Sequence, residues 1–381
     1  MKRDTVVVHA GHEPDELTGA TTPPIYTSSN FALSDINKGK GYGYSRSANP
    51  TRDRLEQSIA ILEQAKHGLA FSSGMAAISA VSSLVKKDEN IILCNDVYGG
   101  TYKLFTKHLP RYGITITPVD ATQIEGIERH ITNKTSMIWL ETPTNPLMKI
   151  LDIEAIAKVG KTHGLTVAVD NTFASPYIQN PLSLGASVVV HSTTKFMSGH
   201  GDVIGGAVAT SDEEMFEQLK FFQKTAGAIP GPFDCYLTLR GLRTLHLRIQ
   251  RHSENALAMS KVLDTEKSVK EVYYPHAPTF RYYSLAKKQM RLGGGMLSFR
   301  IKGGYEEARK IVTSLKIFKL GVSLGSVASL AEHPASMTHR SVPEEEKVRL
   351  GITNDLIRLS VGVEDKDDLA EDLQKALHQE V

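Results

Sequence analysis

Between residues 69 and 210 the chain alternates two kinds of text. Short, almost wholly apolar runs are separated by stretches in which apolar residues recur every three or four positions. The first kind predicts strands buried on both faces, and the second predicts helices that cover them. Strands are predicted at 69–71, 91–94, 114–119, 137–140, 166–169 and 188–191, with 205–210 as an edge strand. Helices are predicted at 74–85, 101–108, 124–131 and 153–163. This order predicts an α/β fold with a mostly parallel sheet covered by helices. After about residue 233 the rhythm changes. One long helix is predicted over 233–263, then strands at 269–274, 296–301 and 356–361 with helices at 305–315 and 366–377, forming a smaller α+β C-terminal domain.

Residues 1–50 are rich in Gly and Pro and show little helical periodicity, so an arm is predicted there rather than a domain. Its end caps a helix. Asn49 suits the N-cap, Pro50 the first helical position, and Leu55, Ile59 and Leu62 follow at helical spacing. The predicted organisation is an inter-subunit arm (1–50), a large domain (51–240) and a C-terminal α+β domain (241–381).

Composition narrows the function classes. The 381 residues carry 44 Lys and Arg against 42 Asp and Glu, a net charge of +2, with no basic block, so no nucleic-acid partner is predicted. No signal-peptide core and no run of about 18 apolar residues occurs, so a membrane span is not expected. Cys94 and Cys235 have neither metal-ligand nor redox spacing. Both are read as core residues in a reducing cytoplasm, and no metal site is expected.

The chemistry concentrates where predicted strands end. Val167-Ala168-Val169 runs into Asp170, and the run 186–190 leads to Ser192-Thr193-Thr194-Lys195, with Asp170 lying 25 residues before Lys195. An acid and a lysine at neighbouring strand ends, beside hydroxyls, suit pyridoxal 5'-phosphate. The lysine can condense with its aldehyde, the acid can pair with its ring nitrogen, and the hydroxyls can hold its phosphate. Ser72-Ser73-Gly74-Met75 turns a strand into a helix, whose backbone N–H groups make a phosphate seat. Tyr98, followed by two glycines, can lie flat on a cofactor ring. Asn145, between Pro143 and Pro146, is a rigidly aimed amide.

The stretches Tyr44-Ser45-Arg46 through Asn49-Pro50-Thr51, Ser73 to Ala77, Val97-Tyr98-Gly99-Gly100-Thr101, Glu141 to Pro146, Val169-Asp170-Asn171-Thr172-Phe173, Ser192 to Lys195, Ser323-Leu324-Gly325, Met337-Thr338-His339 and Arg358 to Gly362 span nearly the whole chain. Together they resemble the cystathionine/methionine-metabolism group of pyridoxal phosphate enzymes, which have the aspartate aminotransferase-like fold (fold type I). The resemblance implies that Lys195 forms the Schiff base and shuttles protons. It implies that Asp170 holds the ring nitrogen, Tyr98 stacks on the ring, and Gly74, Met75, Ser192 and Thr194 contact the phosphate. Tyr44 and Arg46 would reach the neighbouring subunit's cofactor, within a homotetramer built as a dimer of dimers. Arg358 would take the substrate α-carboxylate, with Asn145 and Ser323 close by.

Within the group the text points several ways. Phe233-Asp234-Cys235-Tyr236-Leu237, ahead of Arg240-Gly241, resembles cystathionine γ-lyases, whereas 199–202 and 333–339 also resemble methionine γ-lyases. Gly100 stands where methionine γ-lyases place cysteine. Val322 replaces a glutamate common in relatives, and Lys103 stands for an arginine; both bear on the far end of the substrate. The expected activity is that of a cystathionine γ-lyase with sulfide-forming side reactions. Methionine γ-lyase, cystathionine β-lyase and cystathionine γ-synthase follow, and a cofactor-binding regulator is a remote further reading.

Overall fold

A computed structural model describes residues 1–36, 38–340 and 342–379. Seven strands form the larger sheet: β1 (His67–Phe71), β2 (Asn90–Cys94), β3 (Thr115–Val119), β4 (Thr135–Glu141), β5 (Thr166–Asp170), β6 (Val188–His191) and β7 (Gly206–Thr210). Their order is β1-β7-β6-β5-β4-β2-β3. Strands β2 to β6 run parallel, and β7 is antiparallel to both of its neighbours. All residues of β2, β6 and β7 are buried, as apolar strands between two helical layers must be.

The apolar runs predicted as strands are therefore strands, with two revisions nearby. The segment predicted as an edge strand lies inside the sheet, between β1 and β6, while β1 and β3 take the edges. Its small residues allow this: a Cβ on Gly206 would come within 2.2 Å of the Ser73 carbonyl oxygen, so β7 is packed hard against the turn that starts the helix Gly74–Ser82. The single long helix over 233–263 is two, Pro232–Leu242 and Leu245–Thr265. At the break, Gly241 lies against the Ser198 backbone, where a Cβ would be 2.2 Å from the carbonyl oxygen.

The covering helices show why the local sequence works. In Ile153–His163, Asp152 caps the start by accepting from Ala155 N at 3.0 Å, and Gly164 ends it with φ +66°. Ile153, Ile156, Ala157, Val159 and Gly160 form its buried face.

The smaller sheet holds β8 (Val269–Tyr273), β9 (Met296–Ile301), β10 (Lys319–Leu320), β11 (Leu330–Glu332) and β12 (Leu356–Ser360), in the order β10-β11-β12-β9-β8. Strands β10 and β11 are only two and three residues long and carry too little pattern to be predicted. The first residues also differ from expectation. Arg3–His9 is a short helix despite three consecutive valines, because Val7 is buried and Tyr177 donates to Asp4 at 2.8 Å. Tertiary packing overrides propensity there. Among the described residues no helix is long and apolar enough to cross a membrane.

Lys195 lies just beyond β6, on a segment fixed from two sides. Arg248, which is buried, donates Nη1 to Phe196 O at 2.7 Å and Nη2 to Gly241 O at 2.7 Å and Met197 O at 3.3 Å. Burial lowers this guanidinium to about 10. On the other side, Gly325 has φ +77° and approaches so closely that a Cβ would be 2.6 Å from Phe196 N. Replacing Arg248 with Met should strip these carbonyls of their buried donors. A loss of about 3 kcal/mol or more is expected, read as a lower denaturation midpoint.

Candidate active site

Parallel strands that end together deliver their last side chains to one edge. Glu141 at the end of β4 is the register partner of Asp170 at the end of β5, and Asp170 is the partner of Val190 in β6. Two buried carboxyls therefore sit side by side. Burial raises Glu141 well above the usual carboxyl range, and the charge of Asp170 adds to the rise. Glu141 accepts from Tyr98 N at 2.9 Å, which opposes it. Burial also raises Asp170, against two bonds from Thr172 to Oδ1, from N at 3.0 Å and Oγ1 at 2.5 Å. Among the described residues Oδ2 accepts none, which leaves it available to a ligand. Behind this edge His191, ending β6, pairs with buried Glu63 at 2.5 Å.

A cavity of about 280 Å³ opens in front of these strand ends. Lys195 enters it and donates Nζ to Ser323 Oγ at 2.5 Å. Burial, and then the positive charge of Arg358, lower the amine to about 8, although Glu332 pulls the other way. Desolvation disfavours the ammonium, so the amine is a usable nucleophile and base near neutral pH. Ser323 itself has φ +86°, an uncommon backbone for a serine, on the turn that crosses over the lysine.

The helix Gly74–Ser82 points its N-terminus into the same space. Ser73 caps it by accepting from Ala76 N at 3.1 Å. At Gly74 a Cβ would lie 2.8 Å from Ser192 Cβ, so only glycine lets this turn and the serine close a cradle. Thr194 Oγ1 is tied to Gly205, donating to its oxygen at 3.2 Å and accepting from its nitrogen at 3.0 Å. Opposite, Arg358 is buried and holds Asn145 Oδ1 at 2.9 Å, Glu332 Oε1 at 2.9 Å and Ser323 O at 3.0 Å.

Of the residues singled out in the sequence, Gly74, Met75, Tyr98, Asn145, Asp170, Ser192, Thr194, Lys195, Val322, Ser323 and Arg358 all line this one cavity. Tyr44, Arg46 and Lys103 do not. Tyr44 is half-exposed with the Arg46 guanidinium 5.4 Å over its ring, Arg46 donates to Lys224 O at 2.5 Å, and Lys103 faces solvent. Sequence reasoning gave no role to Thr172, Glu332 or Thr338. The first is signalled by its position two residues after Asp170, where a hydroxyl can reach back to the carboxylate. Nothing in the linear sequence pairs Glu332 with Arg358.

The requirements of pyridoxal phosphate can be set against these residues. Its aldehyde needs an amine that can lose its proton near neutrality. Its ring nitrogen needs an acid with a free oxygen, and its phosphate needs convergent donors beside a positive dipole end. Lys195, Asp170 Oδ2 and the Gly74 cradle meet the three needs, and Arg358 Nε, buried without a partner among the described residues, is left for a further anion. The fold and cavity define the class of pyridoxal phosphate-dependent enzymes.

Residues 4–378 match the family model for Cys/Met metabolism PLP-dependent enzymes. The chain is 46% identical over 376 residues to a cystathionine beta-lyase from Coxiella burnetii, covering 98% of this chain and 97% of that protein. It is 48% identical over 375 residues to a cystathionine gamma-synthase from Mycobacterium bovis, covering 98% and 96%. The crystal structure of cystathionine gamma-lyase from Lactobacillus plantarum, complexed with L-serine, superposes with a TM-score of 0.97 at 44% identity, covering 99% of each chain. The chain belongs to the Cys/Met metabolism family of PLP-dependent enzymes, and its cofactor is pyridoxal 5'-phosphate.

The lowered lysine has a direct consequence. A group whose folded pKa is about 8 loses its proton well before a free lysine at 10.5. The rate at which cofactor-free protein condenses with pyridoxal phosphate should rise with pH and level off above about 8. A rate still climbing at pH 10 would contradict the burial argument. Stopped-flow absorbance of the forming cofactor adduct measures it.

Proposed function

We propose that the protein is a carbon–sulfur lyase of the cystathionine γ-lyase type. It takes L-cystathionine and water to L-cysteine, 2-oxobutanoate and ammonia, with β-elimination and sulfide release from cysteine or homocysteine as side activities. The observation that carries this reading is a single amine, lowered to about 8, facing one cavity whose mouth is apolar at Val322 and Ile204. α,γ-Elimination needs one base to act at two adjacent carbons in turn, and it needs no charged anchor for a leaving thiol.

When bound, pyridoxal phosphate supplies an electron-accepting ring conjugated with the substrate α-carbon. The chain's own residues do the rest. Lys195 Nζ takes the α-proton and then moves protons at the β-carbon. Asp170 Oδ2 would hold the ring nitrogen protonated by its negative charge, Tyr98 would stack on the ring, and Gly74, Met75, Ser192 and Thr194 would cradle the phosphate. Arg358 grips the α-carboxylate in a planar two-pronged contact, with Asn145 and Ser323 holding its orientation. Tyr44 and Arg46 serve the active site of a neighbouring subunit, which accounts for their distance from the cavity of their own chain. A homotetramer in the cytoplasm, and the division into arm, large domain and C-terminal domain at about residues 50 and 240, belong to the same reading.

Methionine γ-lyase is disfavoured by the glycine at 100, where a Cβ would lie 2.4 Å from the Tyr98 ring and 2.9 Å from Met75 Sδ. The chain thus lacks the cysteine that methionine γ-lyases place beside the tyrosine. Val322, 60% exposed at the mouth, offers no charge to the distal ammonium of cystathionine, which supports loose specificity. Lys103, on the outer surface, does not supply one either.

Product analysis separates the members of the group. Cystathionine should yield 2-oxobutanoate plus cysteine. Pyruvate plus homocysteine would assign a β-lyase, and faster turnover of methionine or of O-succinylhomoserine with cysteine would assign the other two activities. Arg358→Ala should raise KM for cystathionine by about 30-fold or more, the low end of the ~2–5 kcal/mol for removing one partner of a buried charge pair. Steady-state kinetics on the purified variant checks it.

A further inference from the structure

Arg358 already has a carboxylate of its own. It lies on β12 directly across from Glu332 on β11, and both side chains are almost fully buried, at 2% and 1% exposure. Glu332 Oε1 forms an ion pair with Arg358 Nη1 at 2.9 Å and accepts from Thr338 Oγ1 at 2.8 Å, and Thr338 also lies 3.0 Å from His339 Nδ1. Oε2 of Glu332 and Nε of Arg358 are both buried without partners among the described residues. The pair is thus half-used: one oxygen and one nitrogen are joined, and one of each is left over.

A lone guanidinium buried this deeply would be costly, so a counter-ion is needed while the site is empty of anions. The same counter-ion cancels much of the pull on an incoming carboxylate. The other titratable groups around this corner do not replace it. Burial and neighbouring Asp170 raise Glu141 well above the usual carboxyl range and so disfavour its charged form, burial raises Tyr98, and burial with Arg358 lowers His339 to about 4, so it stays neutral.

We propose that Glu332 is the standing counter-ion of Arg358, a positioning residue that holds the guanidinium plane and keeps its hold on substrate and product carboxylates weak enough for release. This rests on the reading of Arg358 as the carboxylate site. Glu332 touches no reacting atom. It acts through Arg358 and, by its charge, on Lys195.

The test uses the holoenzyme, with L-alanine and L-alaninamide as competitive inhibitors. Glu332→Gln keeps an acceptor for Arg358 and Thr338 but removes the charge. The inhibition constant for L-alanine should fall by about ten-fold while that for the amide is unchanged, a size set by one charge removed at close range in a shielded site. KM and kcat should fall together as product is held longer. The pH at which the visible band of the cofactor changes should also move down, because Glu332 no longer offsets Arg358 beside Lys195. Glu332→Asp keeps the charge but withdraws it by one methylene. It should weaken L-alanine several-fold and leave the spectral titration in place.

Unchanged or weaker L-alanine binding in Glu332→Gln overturns the proposal. If that variant does not fold, unchanged L-alanine binding in Glu332→Asp overturns it. The parallel control is Arg358→Ala. If L-alanine binds to it as to the parent, the carboxylate reading itself fails, whatever the Glu332 variants do.

Discussion

The structure depends on keeping one lysine amine out of water. Lys195 is delivered by the end of a parallel strand and closed in by a turn from the smaller sheet, with a guanidinium nearby and a hydroxyl in contact. Its lowered pKa is not a property of the lysine loop alone. It arises because the two sheets meet over it: the larger contributes the strand ends, and the smaller contributes Arg358, Glu332 and Ser323. Burial turns a poor base into a good one, and the positive charge of Arg358 pushes in the same direction.

The neighbouring carboxyls show the same economy. Glu141 and Asp170 are brought together by strand register, yet they end in different states of use. Glu141 is spent on a backbone N–H of the tyrosine loop, whereas Asp170 is braced on one oxygen and open on the other. Two like groups side by side cannot both hold full charge cheaply, and environment sorts their tasks.

Much of this was legible in the linear sequence because function sits where pattern stops. A run of apolar residues that ends in Asp170, and another that leads to Ser192 and Lys195, mark strand ends without any structure. The Ser73-Gly74 turn was legible for the same reason. What could not be read is what long-range pairing creates. Glu332 meets Arg358 through the register of a three-residue strand, which has no periodicity to detect. The interior place of β7 was missed because a short run of small residues looks the same at an edge or in the middle of a sheet. The helix break near Arg243 was missed because the contact of Gly241 with Ser198 lies outside local sequence. Tyr44 and Arg46 were placed by likeness, and within one chain they stay away from the cavity.

The segment after the lysine has a mechanical meaning. Arg248 grips its carbonyls from the long helix of the C-terminal half, and Gly325 presses on its backbone from the turn that carries Ser323. Two elements of the later half of the chain therefore steer a reactive group that the earlier half supplies. The amine and the arginine beside it are thus braced by one half of the chain, so a substitution that loosens that half loosens both at once.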